Sequence, residues 1–129
     1  MTRLLLDTHV LLWWSAEPEK LPSTVHDAMR EHRDRTFVSA VSAYEIALKH
    51  RIGKLPNVEG LIAELSHSLV EDGFQQMPVS CRHAIVAGGL DLRHKDPFDR
   101  LLIAQALVEK VTLVSKEDLF DSFGVDRLW

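Results

Sequence analysis

Apolar residues along this chain fall into short runs and helical stripes that alternate from one end to the other. Leu4, Leu5 and Leu6 make a compact apolar run ending on Asp7, the pattern of a short buried strand, from Arg3, closed by an acid. Thr8 suits the cap of a following helix through Leu11, Leu12 and Trp14. Pro18 and Pro22 punctuate a loop, after which Val25, Ala28 and Met29 mark a helix over Ser23 to Arg33. Thr36 to Ser39 reads as a second strand. Ser42 and Glu45 have the spacing of a capping box, which predicts a helix from Ser42 to Arg51 stopped by Gly53. Val58, Leu61, Ile62, Leu65 and Leu69 place an amphipathic helix over Asn57 to Glu71, ended by Gly73.

The second half repeats the alternation. Phe74 to Val79 reads as a third strand, and Ser80 caps a short helix through Ile85 and Val86 that Gly88 and Gly89 terminate. Asp96-Pro97-Phe98-Asp99 opens a helix with a broad apolar face of Leu101, Leu102, Ile103, Ala104 and Ala106; proline has no N–H to waste in a first turn. Val111 to Ser115 is a fourth strand, Glu117 to Phe120 a helical turn, and Val125 to Leu128 a last short strand. Strands alternating with helices imply an α/β chain with a mainly parallel sheet of four to five strands covered on both faces, because parallel neighbours need crossover connections. Ligands bind such sheets outside the carboxyl ends of the strands.

The bulk numbers narrow the class. A chain of 129 residues, 46% hydrophobic and 26% charged, fits one ordinary compact domain over residues 1–129. Cys81 is the one cysteine, so no disulfide within the chain is expected and a cytoplasmic address follows. The apolar start is interrupted by Asp7 and His9, and it is too short to span a bilayer, so neither a signal peptide nor a membrane partner is expected. A net charge of −4 argues against a coat of nucleic acid on one large basic surface but leaves room for an enzyme that visits it briefly.

That acidity is where the chemistry lies. Asp7, Glu45, the pair Asp96 and Asp99, and the pair Glu117 and Asp118 each lie just beyond a predicted strand or at a helix start. Singly, each has a plain structural role. Glu45 completes a capping box, Asp96 caps a helix, Ser115 caps with Asp118 three residues on, and acids favour a helix's positive end. Together they converge, because a doubly wound sheet gathers the carboxyl ends of its central strands into one crevice. Anions crowded there raise one another's pKa and need a cation. Oxygen-only ligands select Mg²⁺ or Mn²⁺ over zinc, and such an ion points to phosphodiester hydrolysis. Lys49, Lys95, Arg100 and Lys116 are candidates to guide a phosphate backbone.

Three segments, Leu4 to Trp13, Val41 to Ala47 and Asp96 to Ala106, together resemble the PIN-domain family and, within it, the VapC-type toxins. The resemblance runs over essentially the full length. It implies a three-layer α/β/α sandwich whose acids bind Mg²⁺ or Mn²⁺ and cleave RNA. Carried over residue by residue, it makes Asp7 and Asp99 the principal metal ligands with Glu45 beside them, and gives Thr8 a supporting hydroxyl. It also implies a homodimer held inactive by a small VapB-type antitoxin. One position departs from the family pattern: after the fourth strand a Ser or Thr, one residue and then Asp are usual, whereas here Ser115 and Lys116 lead to Glu117, with Asp118 next. Glu117 is therefore taken as the fourth acid, with Asp118 its alternative. A PIN-like protein that binds an antitoxin or RNA without cutting is the competing function.

The seven histidines include no His-Glu-x-x-His and no cysteine pair, which argues against zinc. His94 reads as a solvent-facing loop residue. Trp13 and Trp14 read as core or dimer-interface residues, with stacking on an RNA base as the alternative, and Trp129 as packing on the sheet edge. A phosphoacceptor domain would need an aspartate closing the third strand and a lysine after the last; Gln76-Met77-Pro78 and Leu128-Trp129 supply neither.

Overall fold

A computed structural model describes all residues, 1–129. Five short strands, β1 (Leu4–Leu6), β2 (Thr36–Ser39), β3 (Gln75–Met77), β4 (Thr112–Val114) and β5 (Arg127–Leu128), form one sheet in the order β3-β2-β1-β4-β5. Every neighbouring pair is parallel, with Leu5 opposite both Phe37 and Leu113. Six α-helices connect them: α1 (Thr8–Ala16), α2 (Ser23–Glu31), α3 (Ala40–Arg51), α4 (Glu59–Glu71), α5 (Cys81–Gly89) and α6 (Pro97–Glu109). No helix is long and apolar enough to cross a membrane.

Side chains alternate across a strand, so the inner strands β1, β2 and β4 feed two cores. Leu4, Leu6, Val38 and Val114 meet Val10, Val25, Met29, Ile46 and Leu69 from α1 to α4 on one face. Leu5, Leu113 and Met77 meet Leu102, Ile103 and Ala106 of α6, with Val41 and Phe120, on the other. The result is the three-layer α/β/α sandwich. All three β1 leucines are fully buried, as a central strand covered on both faces requires.

The predicted elements are present, with shifted ends. The third strand keeps three of its expected residues, since Gln75 to Met77 alone find partners on Phe37 to Ser39 at the sheet edge. The expected capping box of Ser42 and Glu45 does not form. α3 begins earlier because the Ser39 hydroxyl accepts the N–H of Val41 and caps it, which leaves Ser42 buried against Thr8 and carries Glu45 into the second turn. Asp7, not Thr8, occupies the capping position of α1, and its side chain makes no cap bond there. Ser80 caps α5 as expected, and His83 completes the box by accepting the Ser80 N–H.

β1 lies at the centre, with β2 and β3 added on one side and β4 and β5 on the other. The strand order therefore reverses beside β1, and a crevice opens where the crossovers part. Asp7 stands at that point, its N–H bonded to the Val114 carbonyl at 3.0 Å.

Candidate metal centre

Five acids line one cavity of about 140 Å³ in this crevice: Asp7 after β1, Glu45 on α3, Asp96 and Asp99 at the start of α6, and Glu117 after β4. His9, Lys49 and His94 share its walls, with Leu119 and Phe120 closing one side. Asp7 and Glu45 are almost wholly buried, at 4% and 5% exposure. Their carboxylates would be costly there without compensation.

Four of the five acids make a named side-chain bond, and Glu117 is fixed through its backbone N–H. The Ser115 hydroxyl donates to Asp7 Oδ2 at 2.8 Å, and Ser115 Oγ in turn accepts the N–H of Glu117 at 3.0 Å, which places the start of the next segment beside the cavity. Lys49 pairs with Glu45 one turn along α3, an ion pair that raises the lysine pKa. The His94 imidazole meets Asp99 Oδ2 at 2.7 Å. Asp96 accepts the N–H groups of Phe98 and Asp99 and so caps α6 while facing the cavity. Thr8 lies buried behind, its hydroxyl 2.8 Å from that of Ser42, tying α1 to α3.

The electrostatics record the crowding. Burial pushes the Asp7 carboxyl up from its ordinary value, against the opposing bond from Ser115. Asp99 is pushed up to about 6, first by burial and then by Asp96 and Asp7, although His94 pulls the other way.

The PIN domain family model matches residues 4–125. The chain belongs to the PIN-domain family. Ribonuclease VapC22 of Mycobacterium tuberculosis is 32% identical over 120 residues, covering 91% of this chain and 88% of that protein. VapBC2 from Rickettsia felis, solved bound to a DNA fragment from its promoter, superposes with a TM-score of 0.73 at 15% identity, covering 98% of each chain. FitAcB from Neisseria gonorrhoeae gives 0.70 at 18% identity, covering 98% of this chain and 96% of that one. These two likenesses show the fold.

Within this PIN domain the donor set fits a hard divalent cation. The cavity offers carboxylate oxygens and no thiol, and a cation would relieve the burial and repulsion that raise Asp7 and Asp99. Glu45 is paired with Lys49 and Asp99 with His94.

Several expected site residues lie elsewhere. Arg100 does not guide phosphate: it is 8% exposed and donates to the carbonyls of Ala87, Gly88, Leu90, Asp91 and His94. Asp118 is exposed and does not line the cavity, so Glu117 is the acid that β4 delivers. Ser115 bonds Asp7, whereas the Thr8 hydroxyl meets Ser42 rather than an acid. His94 is not a solvent-facing loop residue, since 18% of its side chain is exposed and it is bonded to Asp99. Its five-residue lead on Asp99 was the only signal in the sequence. Lys49 follows Glu45 by four residues, the spacing of a helical ion pair, which in principle discloses its position.

Proposed function

We propose that this chain is a Mg²⁺- or Mn²⁺-dependent endoribonuclease that hydrolyses RNA phosphodiester bonds and serves as the toxin of a toxin–antitoxin pair. The observation that carries the reading is the meeting of Asp7, Glu45, Asp99 and Glu117, from four separate stretches, around one cavity at the carboxyl edge of the sheet. The relative named a ribonuclease supports the chemistry, and the VapBC neighbours support a toxin–antitoxin setting.

Asp7 and Asp99 would hold the ion, with Glu45 and Glu117 completing the acidic wall. A bound divalent ion supplies an activated water and stabilises charge developing on the phosphoryl oxygens. Ser115 orients Asp7 by donating to one of its oxygens, which leaves the other free to face the cavity. Lys49, paired with Glu45, and the His94 imidazole, bonded to Asp99, stand at the wall where an RNA phosphate would approach. The reading extends to residues 1–129 as a single PIN domain acting in the cytoplasm. A small VapB-type antitoxin would block the cavity and supply the basic surface for operator DNA that a chain of net charge −4 lacks. A homodimer would form through the apolar face of Tyr44 and Leu48 on α3 and Phe98 and Leu101 on α6, with Val79 before α5.

RNA cleavage with and without Mg²⁺ or Mn²⁺ tests the reading. Asp7→Asn and Asp99→Asn should each lose activity on the order of 100-fold or more while keeping a cooperative melt, since even the partners of metal ligands are worth about 10- to 100-fold. Full activity in both variants would reject the assignment. A second reading, a PIN-fold protein that binds antitoxin or RNA without cutting, draws on the internal pairing of Glu45 with Lys49 and Asp99 with His94. Tight RNA binding with no metal-stimulated cleavage would select it.

A further inference from the structure

Of the seven histidines, six have a polar partner within the chain. His26 and His50 reach main-chain carbonyls, His32 meets Arg35, and His67, His83 and His94 meet carboxylates. His9 makes no hydrogen bond or ion pair, although it is exposed on the first turn of α1 and lines the cavity with Asp7 and Glu117. What it touches is aromatic. Its ring centroid lies 5.8 Å from that of Trp13, one helical turn on, and Trp13 lies 5.9 Å from Trp129, just beyond β5.

Three rings therefore run from the cavity rim to the edge of the sheet. Trp13 and Trp129 are half-buried against the core formed by Leu4, Leu6 and Val114, which fixes the inner part of the row. The Lys20 ammonium, 5.9 Å from the Trp13 ring centroid, adds a positive charge beside it. The rings are tilted to one another by 40° and 53°, and His9 is the one most open to solvent. A row anchored at one end and open at the other suits an unpaired base, because every base presents a π face and stacking on an aromatic side chain is worth about 1–3 kcal/mol.

We infer that His9, backed by Trp13 and Trp129, is the stacking platform for the nucleobase adjoining the scissile phosphate of an RNA strand. The inference rests on the ribonuclease reading above and adds a base-binding site to it. His9 follows Asp7 by two residues, so a base laid on its ring brings the neighbouring phosphodiester over the acids. The role needs a flat ring and no proton, which separates it from metal ligation or acid–base work.

The test uses cleavage of a short unstructured RNA by wild type, His9→Ala and His9→Phe, with a melting curve for each. His9→Ala should raise KM about tenfold and leave kcat within about twofold, and His9→Phe should restore the KM, since phenyl stacks but cannot ligate. In a second arm the RNA carries one abasic ribose, moved along the strand. At one position beside the cut the abasic RNA should raise KM about tenfold for wild type and leave His9→Ala unaffected. An unchanged KM in His9→Ala, a His9→Phe variant as weak as His9→Ala, or indifference of wild type to every abasic position would overturn the platform. RNA left intact by wild type with every divalent ion would instead overturn the nuclease reading beneath it.

Discussion

Asp99 sits where binding a cation and folding alone make opposite demands. With no ion bound, its carboxyl is pushed up from 3.8 to about 6, chiefly by burial. Between those values the folded chain keeps a proton that the unfolded chain has released, so the Asp99 contribution to stability falls as pH rises through this window and stays lowered above it. Asn carries no such load. At pH 8 in EDTA, Asp99→Asn should melt roughly 3 to 6 °C above wild type, and added Mg²⁺ should raise wild type far more than the variant. A variant that melts at or below wild type in EDTA would show that burial of this charge is not what raises the carboxyl. Glu117 is different, being exposed and steered only through its N–H bond to Ser115. Glu117→Gln should therefore reduce cleavage less than Asp99→Asn in a side-by-side rate measurement, and an equal or larger loss would promote it to a principal ligand. Asp7, Asp96, Asp99 and Glu117 were legible because each follows a strand or opens a helix, whereas Glu45 was singled out by a capping box that does not form. His9 and His94 were not, since their roles depend on which ring or carboxylate the folded loops bring near.

At the scale of elements, the ends of helices and strands departed most from the pattern. Ser-x-x-Glu at Ser42 and Glu45 satisfies a local capping rule, but Ser39 also caps, and it wins because its hydroxyl additionally donates to Gln105 on α6 at 2.6 Å. That contact lies 66 positions away in the chain, beyond any local reading. Arg100 is the parallel case. A charged residue in the first turn of α6 looks solvent-facing, yet the guanidinium turns inward and satisfies the carbonyls left open at the end of α5 and in the loop after it. Arg100→Ala strands those carbonyls, so urea unfolding should show a loss of about 3 kcal/mol, and Arg100→Lys should recover only part of it. A loss below about 0.5 kcal/mol would mean that water replaces the guanidinium there.

For the molecule as a whole, alternation of apolar runs and stripes was enough to read the sandwich, because the central strands β1 and β4, covered on both faces, are the most apolar. Assembly was less legible. Tyr44 is 63% exposed, packs at a tilt against Phe98 with 5.7 Å between ring centroids, and opens onto an apolar hollow shared by α3 and α6. If two copies pair there, Tyr44→Glu should convert a dimer to a monomer in light scattering without changing the melting temperature by more than a few degrees. A monomeric wild type would remove this face from consideration.

The central place of β1 also bears on how such a chain is made. Its partner β4 and the serine that steadies Asp7 arrive 108 positions later, and Glu117 later still. Until those residues emerge from the ribosome, the first acid has neither its neighbouring strand nor its supporting hydroxyl. The acid cluster can therefore close only once β4 and Ser115 have been synthesised, however early β1 and Asp7 leave the ribosome.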